Sequence, residues 1–124
     1  MKFSTNHVWL DENRFTVGIS HFAQESLGDI VFIQLPQIGE SFQQGEEFGS
    51  VESVKSVSAL YAPVTMKIIE TNVQLEDSPE IINSSPYGNG WIVKVEILNK
   101  EELAHLLSEE EYLQRITAKE GNQV

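Results

Sequence analysis

Gly49-Ser-Val-Glu-Ser-Val-Lys-Ser-Val-Ser-Ala-Leu-Tyr-Ala-Pro63 is the stretch around which the rest of the chain is organised. Two short β-favouring runs, Ser50–Val54 and Val57–Tyr61, flank Lys55, so the segment reads as a hairpin presenting one ammonium at its tip. The Asn-Gly or Asp-Gly pair that usually makes so tight a turn is missing. A turn of Val54, Lys55 and Ser56 must therefore be held by structure around it.

Upstream, Phe15–Ile19 alternates, with Phe15, Val17 and Ile19 on one face of a half-buried strand. Ser20 offers an N-cap oxygen to a short helix over about 21–27, which Gly28 can end. Asp29–Leu35 is a dense apolar strand stopped by Pro36, and Gly39 and Gly45 punctuate the polar stretch before the hairpin. Downstream, Val64–Thr71 reads as a strand and the acidic Asn72–Gly90 segment as loop. Trp91–Ile97 alternates again, with Trp91, Val93, Val95 and Ile97 inward. Asn99 with Glu102, and Ser108 with Glu111, form capping-box patterns that predict helices over about 100–107 and 109–116. Residues 117–124 are expected to fray. The sum is a mainly β fold of about seven short strands, a sandwich or small barrel with helices at its ends.

The totals exclude several classes of function. At 124 residues the chain is expected to be one domain, with a core over about 3–97. No apolar run approaches the roughly 20 residues that span a bilayer. The N-terminal Met1-Lys-Phe-Ser-Thr-Asn6 has no apolar signal core, so a cytoplasmic, bacterial-type protein is expected, or a processed mitochondrial form. The absence of cysteine removes disulfides, thiolate metal sites and a cysteine nucleophile. A formal charge of −11 repels phosphate backbones, which speaks against nucleic acid and for partners with basic faces. His7, His21 and His105 stand in no metal-ligand spacing, and no strand leads into a Walker loop, a G-x-G-x-x-G or a nucleophile elbow. No active site assembles from such a sequence, so no enzyme is expected. With neither a heptad seam nor a long exposed edge in the pattern, a monomer is expected.

The wording along the chain resembles the H protein of the glycine cleavage system. Gly18-Ile-Ser-His-Phe-Ala-Gln24, Leu27-Gly-Asp-Ile-Val-Phe-Ile-Gln-Leu-Pro36, Phe48-Gly-Ser-Val-Glu-Ser-Val-Lys55 and Leu60-Tyr-Ala-Pro-Val64 carry the likeness. Leu75-Glu-Asp-Ser-Pro-Glu80, Asn83-Ser-Ser-Pro-Tyr87 and Gly90-Trp-Ile-Val-Lys-Val95 continue it in the family's order. The resemblance implies a lipoyl/biotinyl-type barrel-sandwich hybrid with a short internal helix and a C-terminal helical extension. It implies that Lys55 is acylated by lipoic acid. In that family the lipoyl arm shuttles the aminomethyl group of glycine between the pyridoxal-phosphate-dependent decarboxylase, the aminomethyltransferase and dihydrolipoyl dehydrogenase. Glu52 and Gly39 match family positions tied to recognition by the lipoate-attaching enzyme. A carrier of this kind needs its cofactor on a long arm at a rigid, exposed turn, the cofactor supplying the hard chemistry. Acylation would also move the formal charge from −11 to about −12.

Three positions depart from the family pattern. Val8 stands in His7-Val-Trp9 where the family usually has Glu, and Ala59 stands where it has an acid four residues past the lysine. In the family these carboxylates lie near the cleft that shelters the loaded arm. Met66 follows Pro63-Val-Thr65 where the family has Gly, at an expected bend beside the lipoyl turn, where its side chain can cover surface that the attaching enzyme reads. Thr65-Met66-Lys67 holds half of a biotinylation Met-Lys-Met without the second Met, so Lys55 and not Lys67 is taken as the acylated residue. The departures leave two alternatives to glycine cleavage: an H-like protein that relays lipoate to other enzymes, or an unlipoylated binding module.

Overall fold

The computed structural model describes the backbone of residues 1–121 and the side chains of residues 1–117. Its strands are β1 (Lys2–Phe3), β2 (Val8–Asp11), β3 (Thr16–Ile19), β4 (Ile30–Gln34), β5 (Ser41–Phe42), β6 (Glu47–Ser53), β7 (Val57–Tyr61), β8 (Met66–Thr71), β9 (Val93–Ile97) and β10 (Leu107–Ser108). Between them lie α1 (His21–Leu27), the single turns α2 (Gln74–Asp77) and α3 (Ile81–Ser84), a 3₁₀ helix (Lys100–His105) and the terminal α4 (Glu109–Gly121). A seven-stranded sheet, ordered β10-β1-β2-β3-β9-β8-β5, faces a three-stranded sheet, β4-β6-β7, with every pairing antiparallel. The main core fills the space between them: Leu10, Val17, Ile68 and Val95 from the large sheet meet Ile33, Val51 and Leu60 from the small one. The result is the expected mainly β open sandwich with an internal helix and a C-terminal extension.

The large sheet is also covered on its outer side. Phe3, Trp9 and Gly18 are cross-strand neighbours and share a face. Gly18 leaves room for the Trp9 ring, which a Cβ there would approach to 2.6 Å. Tyr112 of α4 stacks on Phe3, with centroids 4.3 Å apart and planes 4° from parallel. Trp9 Nε1 donates to the Pro86 carbonyl at 3.1 Å.

Several elements differ from their sequence pattern. Phe15 is exposed with φ of 58°, and the strand begins at Thr16. Asp11 explains this, because its carboxylate accepts from Asn13 N and Arg14 N and its carbonyl accepts from Phe15 N, forming a local turn that swings Phe15 outward. Trp91 is half-buried and lies outside the strand, which starts at Val93. The Asn72–Gly90 segment contains α2 and α3, because burying Leu75 and Ile82 outweighs its turn-rich composition.

The helical end is rearranged as well. Over 100–107 the chain forms a 3₁₀ helix and then β10, because Glu102 does not close a box on Asn99. Its carboxylate instead accepts from Thr65 N at 2.6 Å and Thr65 Oγ1 at 3.0 Å. The Ser108 box does form, with Ser108 N donating to Glu111 Oε1 and Glu111 N donating to Ser108 Oγ. The bond from Ser108 N, helped by the Ser108 hydroxyl, holds the Glu111 carboxyl below its ordinary range. α4 runs on to Gly121, so 117–121 of the expected frayed tail is helical, while 122–124 lie outside the described residues.

Candidate functional site

β6 and β7 pair from Glu47–Tyr61 at the base to Glu52–Val57 at the top, leaving Val54, Lys55 and Ser56 as the connecting turn. The turn that lacks its own propensity is made by Ser53, which is buried. Its hydroxyl oxygen accepts from Lys55 N at 3.3 Å and Ser56 N at 3.1 Å, and its backbone N–H donates to the Ser56 carbonyl at 2.8 Å. A serine side chain thus replaces the glycine that a primed turn would need.

A second brace comes from the end of α1. Val54 N donates to the Asp29 carbonyl at 3.1 Å, tying the turn to the start of β4. The Lys55 stem crosses Gly28, where an added Cβ would lie 3.5 Å from Lys55 Cε and 4.0 Å from Nζ. Gly28 has φ of 81°, a left-handed value that glycine adopts without strain as it leaves the helix. Asn83 of α3 fixes this junction, donating through Nδ2 to Gln24 Oε1 and the Gly28 carbonyl and accepting from Ile30 N, each at 2.9 Å. Ser53 and Asn83 are supporting residues that sequence reasoning missed, and Gly28 was read only as the end of the helix, not as the residue under the lysine stem. The signals for the first two were a serine two places before the lysine and an asparagine inside a turn-rich run.

Lys55 itself is exposed, and among the described residues its ammonium makes no hydrogen bond or ion pair. Glu52 is exposed on β6, opposite both Phe32 of β4 and Val57 of β7. Ala59 lies two rows further from the tip, half-buried opposite Ser50. The other expected site residues lie elsewhere. Gly39 sits in the exposed turn after β4, with φ of 96° and its N–H bonded to the Ile68 carbonyl. Val8 is on β2 opposite Ile19 and is 1% exposed in the main core.

Met66 is fully buried in β8, opposite Phe42 and Ile97, with no left-handed φ. It covers no surface and makes no bend, correcting the expectation from its replacement of a glycine. Met is flexible and apolar, and its neighbours leave it a core position. Lys67 is exposed on the large sheet, outside the hairpin. Among the described residues no three His, Asp or Glu side chains gather as a metal site requires, and no helix is long and apolar enough to cross a membrane.

The hairpin, held by Ser53 and by Asp29, carries Lys55 exposed at its tip. The family model described as glycine cleavage H-protein matches residues 1–119. The glycine cleavage system H protein of Carboxydothermus hydrogenoformans is 50% identical over 123 residues, covering 98% of this chain and 94% of that one. That of Psychromonas ingrahamii is 52% identical over 116 residues, covering 91% and 93%. Among solved structures, a glycine cleavage system H protein from Mycobacterium marinum superposes with a TM-score of 0.83 at 36% identity, covering 94% of this chain and 95% of that one. These similarities favour glycine cleavage over the relay and binding-module alternatives. The chain belongs to the glycine cleavage H-protein family, the lipoyl carriers of the glycine cleavage system.

Proposed function

We propose that Lys55 carries lipoic acid in amide linkage and that the chain, a single domain acting as a cytoplasmic monomer, serves as the mobile carrier of glycine cleavage. The observation that supports this reading is an exposed, unpaired lysine on a turn held from two sides, by Ser53 within the hairpin and by Asp29 beneath it. The residues present suit the group. The amine is free to be acylated, and the glycine under its stem leaves the arm a clear exit. Bound there, the dithiolane supplies the cycling sulfurs and the acceptor for the aminomethyl group of glycine.

The chain's own part is to fix the root of the arm and leave its length free. A rigid root with a long tether raises the effective concentration of the cargo at each partner in turn. The partners under this reading are the pyridoxal-phosphate-dependent decarboxylase, the aminomethyltransferase, dihydrolipoyl dehydrogenase and the lipoate-attaching enzyme. Glu52, three residues before the lysine on the exposed face of β6, and Gly39 are the proposed recognition positions for the last of these. Ala59, half-buried on the hairpin, is apolar where the family pattern has an acid, which leaves a loaded amine one carboxylate acceptor fewer there, whereas Val8 is enclosed in the core.

Intact-mass measurement after incubation with lipoate, ATP and an attaching enzyme, followed by peptide mapping, tests the reading. A lipoyl increment on the peptide containing Lys55, absent from Lys55→Arg, is expected. An increment on Lys67, or none, would overturn it.

A further inference from the structure

The loop between α3 and β9 contains a chemically reactive dipeptide. Of the asparagines in the chain, only Asn89 is followed by glycine. In such a pair the glycine nitrogen, unshielded by a side chain, can attack the asparagine carboxamide. The fold treats the two reactants differently. Asn89 is exposed, and among the described residues its carboxamide makes no hydrogen bond. Gly90 is buried, and its N–H donates to the Ser85 carbonyl at 2.8 Å. The other end of the same peptide group is held by Asn72, which is 5% exposed and whose Nδ2 donates to the Asn89 carbonyl at 2.9 Å. That nitrogen also donates to the Trp91 carbonyl at 2.7 Å, and Asn89 N donates to Ser85 Oγ at 3.1 Å. A peptide plane gripped at both ends cannot turn its nitrogen toward the neighbouring carboxamide. Glycine is nevertheless required at this position, because a Cβ would lie 2.6 Å from the Ser85 carbonyl oxygen and 3.0 Å from Ile82 Cα.

We propose that Asn89 is a site of spontaneous modification, deamidating only when the Ser85–Trp91 loop opens, with Asn72 as the latch. The reaction does not depend on what Lys55 carries. When the latch releases, Gly90 N gives its proton to solvent and bonds to Asn89 Cγ. The bond from Cγ to Nδ2 breaks, and Nδ2 takes a proton from water and leaves as ammonia. Water then adds to one of the two carbonyls of the succinimide and breaks its bond to Gly90 N or the one to the former side chain. The products are aspartate and isoaspartate, with no change of oxidation state. Either adds a carboxylate, moving the formal charge from −11 to about −12. Isoaspartate also adds a methylene to the backbone between the grips of Ser85 and Asn72. The same loop supplies the Pro86 carbonyl that accepts from Trp9 Nε1, so the modified chain holds the outer cover of the large sheet less firmly. Ageing at this position thus records how often the loop has opened.

The test incubates the full chain in mildly alkaline buffer, folded and in urea, and follows the peptide containing Asn89 by mass spectrometry that separates asparagine, aspartate and isoaspartate. Wild type should deamidate at Asn89 at least about tenfold more slowly when folded than in urea, because only the opened fraction reacts. Asn72→Ala should recover on the order of tenfold of that rate in the folded protein and leave the rate in urea unchanged. Equal rates for folded and unfolded wild type would overturn the proposal, as would an Asn89 that stays intact in urea. A folded Asn72→Ala that deamidates no faster than wild type would remove Asn72 as the latch. Should that variant fail to fold, hydrogen exchange on wild type decides. The protection of the Gly90 N–H against exchange should match the slowing of deamidation, and an unprotected amide beside slow deamidation would refute gating by loop opening.

Discussion

Replacing Asn83 by alanine tests the brace beneath the lysine turn without touching the turn. The side chain makes three bonds of 2.9 Å: two given through Nδ2, to Gln24 Oε1 and the Gly28 carbonyl, and one accepted from Ile30 N. A typical intramolecular hydrogen bond contributes about 1 kcal/mol net, and a buried donor left without a partner costs about 1–3 kcal/mol. Ile30 is 2% exposed and Gln24 6%, so water cannot readily replace the lost partner at either. The sum for Asn83→Ala is about 3 kcal/mol, which in a chain of this size lowers Tm by about 10 °C. Asn83→Asp should do no better. It keeps an acceptor for Ile30 N but turns a carboxylate toward two oxygens that need a donor. Thermal melting followed by circular dichroism reads the stability. Lipoylation of Lys55 at sub-saturating enzyme reads the consequence for the site, and it should slow in both variants even below their melting range. A Tm within about 2 °C of wild type, or a melt that shifts while lipoylation is unchanged, would refute the coupling of this asparagine to the turn.

Two further outcomes follow from the packing and the capping box. Gly18→Ala places a methyl 2.6 Å from Trp9 Cζ2 and 2.7 Å from Cε2, in a site where Trp9 is 1% exposed and tied to the Pro86 carbonyl. The overpacking should cost about 1–3 kcal/mol in urea unfolding, and an unchanged midpoint would mean that the ring has room to move. Glu111 gives a pH dependence with a definite sign. Its folded carboxyl titrates below the ordinary 4.5, chiefly because of the hydrogen bond from Ser108 N. The stability it contributes is therefore present at neutral pH and lost as the pH falls below 4.5 through the folded value. Glu111→Gln keeps an acceptor for Ser108 N but has no charge to lose, so its Tm should fall less than that of wild type between neutral pH and about pH 3. Equal losses in the two proteins would remove Glu111 from the account of acid sensitivity.

The hairpin, the α1 cap and the Ser108 box were legible in the sequence because each rests on local chemistry. The β runs stand on either side of Lys55, Ser20 Oγ accepts from Ala23 N, and Ser108 and Glu111 exchange bonds three residues apart. What the sequence hid was decided by partners distant along the chain. Glu102 looked like the second half of a box on Asn99, but Thr65 captured its carboxylate. Phe15 had the alternation of a core residue, but a turn closed by Asp11 put it outside. Met66 seemed to intrude on the lipoyl turn, yet β8 carries it into the core. At the site, Lys55 and Glu52 could be named from wording alone. The residues that hold the lysine in place could not, because Asn83 reaches Gly28 across 55 positions of sequence.

These long-range contacts make α1 the element that carries rigidity to the arm. The helix has only seven residues, too few to be stable by itself, so its position depends on what grips each end. At its start, Ser20 caps Ala23 N and lies 2.7 Å from the hydroxyl of Tyr112, which stands the same distance from His7 Nδ1. The terminal helix α4 thereby anchors the near end of α1, while its Tyr112 ring stacks on Phe3 and closes the outer face of the sheet. At the far end, Asn83 grips Gln24 and Gly28, and the next residue, Asp29, accepts through its carbonyl from Val54 N of the lysine turn. The extension and the turn-rich segment, besides burying Leu75, Ile82 and Leu106 in the core, are thus the parts that fix the helix on which Lys55 rests. A lipoyl arm swinging from an unsteady root would spread its end over a larger volume and meet each partner less often. Under the proposed function the two additions to the bare sandwich serve twice, burying apolar side chains and holding one lysine still.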